Sequence, residues 1–210
     1  MISFARADWR CLLFDLDNTL YPAQAGLLPH IDQRINDYLA LRLGLEGEAI
    51  DRLRREYWRK YGTTLRGVKE NHGLDPLEYI AYAYDVEVGE FLRPDGNLAG
   101  MLRRLPWKKA VFSNSPADYA AKVLAALGVA GEFERIFGID YAEHRGKPDP
   151  ETYRMVLAEL GLTGPACVMI DDLAANLIPA RELGMTTVYV GRDAPAWADF
   201  RLDSILDLEN

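Results

Sequence analysis

Two aspartates, one residue apart, follow an apolar run near the start of the chain: residues 12–14 lead directly into Asp15 and Asp17. In an extended strand, residues two apart point to the same side, so both carboxylates could face one site unless the chain bends between them. Charges of the same sign this close repel each other, and a cation is needed to keep both groups ionised. Oxygen-only ligands favour Mg²⁺. The plainer alternative, an Asp/Asn turn after a strand, explains Asp17 and Asn18 but leaves Asp15 without a role.

Two further apolar runs also end in small polar or acidic residues. These residues are Ser113 and Asn114, after residues 108–112, and Asp171 and Asp172, after residues 166–170. Apolar runs that alternate with helical patterns indicate an α/β fold, with a parallel sheet covered by helices on both faces. Because function collects beyond the carboxyl ends of parallel strands, we expect these side chains to meet the first pair of aspartates at one edge.

Capping patterns place helices between these runs. Asp149 is expected to cap one helix, with Pro150 at its first position and Gly161 at its end. Ser115 is expected to cap another helix, with Pro116 at its first position. Each strand is therefore expected to lead into a helix.

The stretch from about residue 22 to residue 93 has apolar residues at helical spacing and no convincing strand. We therefore predict a core domain made of residues 1–21 and 94–210, with residues 22–93 inserted as a helical domain. A basic run in this insert, Arg52, Arg54, Arg55, Arg59 and Lys60, is interpreted as a solvated helix face. Residues 194–210 are interpreted as a tail with the apolar anchors Phe200, Leu202, Ile205 and Leu206.

The composition excludes several classes of protein. Apolar residues make up 49% of the 210 residues and charged residues 27%, which is typical of globular proteins. The net charge of −8 argues against non-specific nucleic-acid binding. No stretch approaches a membrane span and residues 1–6 lack the apolar core of a signal peptide, so we expect a soluble, cytoplasmic protein. Cys11 and Cys167 lie in apolar runs and are expected to be reduced core residues.

Four groups of residues, in chain order, resemble the four motifs of the haloacid dehalogenase superfamily. The groups are Asp15-Leu16-Asp17-Asn18-Thr19, Phe112-Ser113-Asn114, Gly146-Lys147-Pro148-Asp149-Pro150, and Ile170-Asp171-Asp172 with Asn176. The resemblance spans residues 12 to about 190. It implies a Rossmann-like parallel sheet and a helical cap, inserted after the first strand, that closes over the site.

For a phosphatase, the resemblance implies that Asp15 attacks phosphorus and forms an aspartyl-phosphate. Asp17 protonates the leaving oxygen and then activates the hydrolytic water. A dehalogenase of this superfamily lacks that second aspartate, so Asp17 favours phosphoryl transfer. The residues implied to bind the phosphoryl group are Thr19, Ser113, Asn114 through its backbone amide, and Lys147.

The resemblance also implies a Mg²⁺ site. Asp15, the backbone carbonyl of Asp17 and Asp172 would bind the ion directly. Asp171 would contact it through a water molecule or through another ligand. The roles of Asp171 and Asp172 could be exchanged. Asn176 stands where the superfamily has a further acid, which lowers the negative charge of the site.

Residues 15–22 and 61–67, with His72, resemble in particular the pyrimidine 5′-nucleotidase branch of the superfamily. Tyr21, Tyr61, Arg66 and His72 are then candidates for binding a base, sugar or phosphate. The alternatives are that Tyr61 packs between helices and that His72 caps a helix.

This branch implies that the substrate is a small phosphorylated metabolite, a nucleoside 5′-monophosphate. From the net charge and the lack of a membrane span, we expect no nucleic-acid polymer or membrane as partner. Alternative functions are a sugar-phosphate or phosphoglycolate phosphatase and a phosphosugar mutase of the same superfamily. A more distant alternative is a receiver-type signalling domain that is phosphorylated on aspartate.

Overall fold

The computed structural model describes residues 8–208 and contains one six-stranded sheet in which every neighbouring pair of strands is parallel. The strands are β1 (Cys11–Phe14), β2 (Lys108–Phe112), β3 (Arg135–Phe137), β4 (Cys167–Asp171), β5 (Thr186–Val190) and β6 (Phe200–Leu202). Their spatial order is β3-β2-β1-β4-β5-β6. The strand that carries Asp15 therefore lies in the interior of the sheet, between the strands that lead to Ser113 and to Asp172.

Helices cover both faces of this sheet. They are α1 (Leu27–Leu43), α2 (Glu48–Tyr61), α3 (Thr64–His72), α4 (Pro76–Ala83), α5 (Val88–Phe91), α6 (Gly96–Arg104), α7 (Ala117–Ala126), α8 (Pro150–Leu160) and α9 (Ala174–Glu182). All four residues of β1 are buried, and they alternate between two apolar clusters: Leu12 and Phe14 in one, Cys11 and Leu13 in the other. The predicted α/β class with a covered parallel sheet is confirmed.

The predicted helix at Asp149 forms as expected. The Asp149 carboxylate accepts a hydrogen bond from the Glu151 amide (3.0 Å), Pro150 occupies the first turn, and Gly161 ends the helix with φ of 64°. This φ lies in the left-handed region that glycine adopts without strain. These are contacts between near neighbours in sequence, which is why the pattern was sufficient to predict them.

Between β1 and β2 the described chain is helical, as the sequence predicts. Helices α1 to α4 contribute buried residues such as Ile31, Tyr57 and Tyr79 to the same apolar cluster as Phe14 and Val111 of the sheet. The helices therefore pack on the core as well as on one another. The division into a core domain and an inserted cap at residues 22–93 stays a prediction.

Two local predictions are wrong. Residues 200–202 form β6, an edge strand, where the sequence indicated only a tail. Its three residues are too few for a periodic signal, and its position depends on long-range contacts: the Asp199 carboxylate accepts hydrogen bonds from the Thr187 amide and hydroxyl (both 2.9 Å). Of the expected anchors, Leu206 is 38% exposed.

Ser115 does not cap α7. The residue at the N-cap is Pro116, which offers no side-chain hydrogen bond, and the Ala117 amide instead donates to Asp140 Oδ1 (2.9 Å). The Ser115 hydroxyl points elsewhere, to Asp17.

Cys11 and Cys167 are buried free thiols, as predicted, and burial raises their pKa values to about 11 and about 12. Among the described residues, none of the helices combines the length and apolar character needed to cross a membrane. Residues 1–6, from which the lack of a signal peptide was predicted, lie outside the described part of the chain.

Candidate active site

The chain turns sharply directly after Asp15. The Asp15 amide still bonds to the Ile170 carbonyl of β4 (2.8 Å), but the Thr19 and Leu20 amides already turn back to the Leu16 carbonyl (3.3 and 3.0 Å). Asn18, inside this turn, has a φ of 61°. The turn gives the two aspartates different surroundings, so the simple picture of two carboxylates on one face of a flat strand does not hold.

The Asp15 carboxylate meets a buried lysine. Lys147 is fully buried, and its Nζ lies 2.8 Å from Asp15 Oδ1 and 2.6 Å from Asp171 Oδ2. Burial alone lowers the pKa of an ammonium group, but the two carboxylates outweigh it and raise the pKa of Lys147. The ammonium therefore stays protonated and offsets part of the negative charge around Asp15.

Three carboxylates of the site are close enough to share one cation. Oxygens of Asp15, Asp171 and Asp172 all lie within 4.8 Å of one another. Burial and the other two carboxylates raise the pKa of Asp172 to about 8. Burial also raises the pKa of Asp171 to about 6, although Lys147 acts against this shift. One ammonium does not balance three carboxylates, so this oxygen-only donor set fits a divalent cation such as Mg²⁺.

The two aspartates after β4 differ in how much of their carboxylate is already occupied. Asp171 accepts hydrogen bonds from Lys147, from Asn176 Nδ2 (3.0 Å to each oxygen) and from the Leu173 amide (2.8 Å). No other side chain among residues 8–208 donates a hydrogen bond to Asp172, which is also less buried. The carboxylate oxygens of Asp172 are therefore freer than those of Asp171 to bind a metal ion.

Asp17 is held by three hydroxyl groups. Its carboxylate accepts hydrogen bonds from Tyr21 (2.5 Å), Ser115 (2.5 Å) and Tyr119 (3.0 Å). Burial and the nearby Asp15 raise the pKa of Asp17, although the hydroxyls act in the opposite direction. Asp17 is thus oriented separately from the three grouped carboxylates, and a carboxyl with a raised pKa is suited to giving and taking a proton.

A cavity of about 770 Å³ lies over these groups. Part of its lining follows the ends of β1, β2 and β4 and includes the Lys147 loop and the start of α9: Asp15, Asp17, Asn18, Ser113, Asn114, Ser115, Lys147, Asp172, Leu173 and Asn176. The rest of the lining comes from Ile139, α1, α2, the start of α3 with the turn before it, and two tyrosines, Tyr79 and Tyr84. The site is therefore an open cleft between the sheet edge and the helical segment.

Known hydrolases resemble this chain in sequence. A family model described as haloacid dehalogenase-like hydrolase matches residues 9–184. The chain belongs to this family. Phosphoglycolate phosphatase of Pectobacterium atrosepticum is 30% identical over 199 residues, which cover 86% of this chain and 81% of that protein. Phosphate metabolism protein 8 of Saccharomyces cerevisiae is 28% identical over 191 residues, 84% of this chain but only 60% of the yeast protein.

A solved structure of CbbY from Rhodobacter sphaeroides, in complex with phosphate, superposes with a TM-score of 0.69 at 20% identity and covers 95% of this chain and 96% of that one. At this identity the match supports the fold alone. The prediction that the chain is an enzyme, a phosphatase-type hydrolase of this superfamily, is confirmed by the family and by its relatives.

In this haloacid dehalogenase-like hydrolase, four candidates for substrate binding, Tyr21, Tyr61, Arg66 and His72, do not line the cavity. Arg66 pairs with Asp149 (2.8 Å), and His72 Nε2 lies 2.7 Å from the Tyr57 hydroxyl. The Tyr61 hydroxyl bonds to the Asn71 side chain. Tyr21 is a partner of Asp17. The structure therefore gives these four side chains contacts within the protein and does not bring them to the cavity.

Ser113 and Thr19 are both buried, but only Ser113 lines the cavity, where its Oγ accepts a hydrogen bond from the Ser115 amide (3.0 Å). The Thr19 hydroxyl has no hydrogen-bond partner in the described chain. Tyr119 and the side chain of Ser115 are functional candidates that sequence reasoning missed. No local signal marks them, because Asp17 is about a hundred residues away in sequence and meets them only in the fold.

The basic run is largely a solvated face, as interpreted: Arg52, Arg55, Arg59 and Lys60 are exposed, and only Arg54 is half-buried. In addition, Arg54, Arg55 and Arg59 line the cavity. Arg54 is partly buried and donates to Asn36 Oδ1 (2.6 Å) and to the carboxylate of Asp32 on α1. These residues recur at helical spacing, so an amphipathic pattern with arginines facing inward is the signal that could have found them.

The side chain of Asn114 holds the loop that carries Lys147. Its Nδ2 donates to the Lys147 carbonyl (2.9 Å), and its Oδ1 accepts from the Lys147 amide (2.6 Å). Gly146 makes this approach possible, since a Cβ there would lie 2.7 Å from the same Oδ1. The sequence had suggested only the backbone amide of Asn114, so the side chain has a second, positioning role.

Replacing Asn114 with alanine keeps the backbone amide but removes both of these bonds. We expect kcat to fall about 10- to 100-fold, because a supporting contact that fixes a charged group is lost. Steady-state kinetics with p-nitrophenyl phosphate measure this effect. Asn97→Ala, on the exposed surface of α6, is the matched control. Equal activity of the Asn114 variant and this control would show that the side chain does not matter.

Proposed function

We propose that this protein is a Mg²⁺-dependent phosphatase of small phosphomonoesters that works through an aspartyl-phosphate. The observation that carries the proposal is the separation of two carboxylates at one end of the cavity. Asp15 contacts Lys147 and, with Asp171 and Asp172, forms a group of three carboxylates, which we call the acidic group. Asp17 is instead held by three hydroxyl groups. One carboxylate is thus available as a nucleophile and the other for proton transfer.

The reaction then takes two steps. An oxygen of Asp15 attacks phosphorus, the bond from phosphorus to the leaving oxygen breaks, and Asp17 gives that oxygen its proton. A water molecule next attacks phosphorus of the aspartyl-phosphate, and Asp17 takes its proton. Lys147 offsets negative charge on Asp15 and on the phosphoryl group throughout, and Ser113 is placed to donate a hydrogen bond to that group.

The acidic group supports the metal part of the proposal. Asp15, Asp172 and the backbone carbonyl of Asp17 would hold Mg²⁺, and Asp171, already bonded to Lys147 and Asn176, would orient the site. When bound, the ion supplies positive charge next to the phosphoryl oxygens. Helices α1 to α5, as a cap over the sheet edge, would exclude water during the reaction.

We propose a nucleoside 5′-monophosphate as the substrate. The cavity of about 770 Å³ is large for a two-carbon leaving group and offers aromatic side chains, Trp58, Tyr79 and Tyr84, next to apolar ones. A flat, partly apolar leaving group such as a nucleoside fits this lining. Phosphoglycolate is the second candidate, because the Pectobacterium relative is named for that substrate.

A panel of phosphorylated metabolites tests both candidates. Phosphate release is measured from uridine 5′-monophosphate, phosphoglycolate, glucose 6-phosphate and p-nitrophenyl phosphate, each with Mg²⁺ and with EDTA. We expect the highest kcat/KM with the nucleotide, and EDTA to reduce every rate at least about 100-fold because the carboxylates then repel the phosphoryl group. A clear preference for phosphoglycolate would replace the nucleotide assignment. Activity unaffected by EDTA and restored by no metal would contradict the metal part.

The remaining alternatives have their own signatures in the same assays. A phosphosugar mutase would convert a sugar phosphate to its isomer without net phosphate release. A receiver-type domain would accumulate stable phosphate on Asp15, detectable by mass spectrometry of the intact protein. We expect neither result, because the proposed proton transfer by Asp17 would complete hydrolysis.

A further inference from the structure

One face of α2 turns toward the cavity and carries a concentration of positive charge. Its residues at intervals of three and four, which share one side of a helix, are Asp51, Arg54, Arg55, Trp58 and Arg59, and all of them line the cavity. Asp15, Asp17 and Asp172 line the same cavity. The mechanism proposed above uses none of these side chains.

The three arginines of this face differ in their contacts. The Arg54 guanidinium group donates hydrogen bonds to the side chains of Asp32 and Asn36 on α1. Arg55 and Arg59 have no hydrogen bond or ion pair with any residue between 8 and 208, although both face the cavity. Two guanidinium groups are therefore available in the same space as the proposed nucleophile.

Arg55 and Arg59 also border a second, shallower cleft of about 570 Å³ on the outer side of α2, together with Arg52, Glu56 and Lys60. Four of its five side chains are cationic. The positive charge thus continues from the surface into the cavity, and such a field attracts anionic ligands despite the net charge of −8. Trp58, 48% exposed, adds an apolar surface between the two arginines.

We propose that Arg55 and Arg59 form a subsite for a second anionic group, a carboxylate or a phosphate, on the part of the substrate that leaves. A guanidinium group binds either anion with two parallel hydrogen bonds. The proposal rests on the phosphatase function above and refines its substrate. A nucleoside 5′-monophosphate has no second anionic group, so the preferred nucleotide would carry a further phosphate, whereas phosphoglycolate already carries a carboxylate. The substrate carries one phosphate ester at Asp15 and a second negative group at α2, with Trp58 contacting the atoms between them.

Two matched pairs of substrates test the subsite, one for each kind of anion. Glycerol 3-phosphate and 3-phosphoglycerate differ in a terminal carboxylate. Uridine 5′-monophosphate and uridine 3′,5′-bisphosphate differ in a second phosphate. For each pair we measure the ratio of kcat/KM for the doubly anionic substrate to that for the singly anionic one, and chromatography identifies which phosphate is released.

We expect the ratio to exceed about tenfold in at least one pair for the unmodified protein. The pair that shows it identifies the anion. In the double variant Arg55→Gln, Arg59→Gln the ratio should fall to about one. Arg52→Gln, on the same helix but outside the active-site cavity, is the matched control and should keep the ratio of the unmodified protein.

The outcomes separate the subsite from the phosphatase function. A ratio near one in the unmodified protein, or the same high ratio in the double variant, overturns the subsite while phosphatase activity remains. An equal loss in the Arg52 control overturns it as well, because the effect would then be one of general surface charge. No phosphate release from any ester by the unmodified protein would instead reject the phosphatase function. Circular dichroism of each variant confirms that α2 is folded.

Discussion

Replacing Asp15 with asparagine is expected to lower kcat by a factor on the order of 10⁵, the range seen when a catalytic nucleophile is removed. Asparagine has nearly the same shape, but its amide does not attack phosphorus. Lys147 keeps its contact with Asp171, so we expect the variant to fold. Steady-state kinetics with p-nitrophenyl phosphate and Mg²⁺ provide the measurement, and mass spectrometry after rapid acid quenching shows whether phosphate becomes attached to the protein.

Asp37→Asn is the control, since Asp37 is exposed on α1 and, within residues 8–208, accepts a hydrogen bond only from Gln33. It should retain full activity and a trappable phosphoprotein. If the Asp15 variant turns over at the rate of this control, the nucleophile lies elsewhere and the mechanism is wrong. Trapped phosphate on another residue would have the same meaning.

Replacing Lys147 with methionine is expected to have the second largest effect, on stability as well as on activity. Methionine fills a similar volume, but the fully buried ammonium that lies between Asp15 and Asp171 is lost. Removing one partner of a buried ion pair typically destabilises a protein by about 3–5 kcal/mol. For a chain of this size that corresponds to a fall in Tm of roughly 6–20 °C.

Differential scanning calorimetry, with and without Mg²⁺, measures this effect. We expect added Mg²⁺ to raise the Tm of the Lys147 variant more than that of the unmodified protein, because three carboxylates are then left without their ammonium partner. Lys122→Met, an exposed position on α7, should change stability by less than about 0.5 kcal/mol. A Lys147 variant as stable and as active as this control would contradict the role assigned to the buried ion cluster.

The sequence predicted the parts of the site that follow from local order along the chain. Apolar runs that end in Asp15, Ser113 or Asp171 indicate buried strands, and parallel strands necessarily bring their carboxyl ends to one edge. Asp149 as a helix cap needed only the Glu151 amide two residues away. Such features depend on neighbours within a few positions, and that information is present in the sequence itself.

Other features of the site depended on residues far apart in the chain. Ser115 looked like a cap, but its hydroxyl bonds to Asp17 because that carboxylate is brought beside it by the pairing of β1 with β2. Arg66 looked like a substrate ligand, yet it pairs with Asp149, 83 residues later. A polar side chain takes whichever partner the fold presents, and its residue type alone does not identify that partner.

Asp15 and Asp17 show both kinds of information. By itself the sequence determined that Asp15 and Asp17 stand at the end of a buried strand, and that two such close acids need compensating positive charge. Only the tertiary structure decided which partners each carboxylate receives: the Lys147 ammonium for Asp15 and three hydroxyl groups for Asp17. The turn at Leu16 separates the carboxylates, Lys147 reaches Asp15 from 132 residues away, and Tyr119 reaches Asp17 from 102. Residues this far apart in sequence meet because the sheet and its helices pack together. No short segment of sequence encodes that packing.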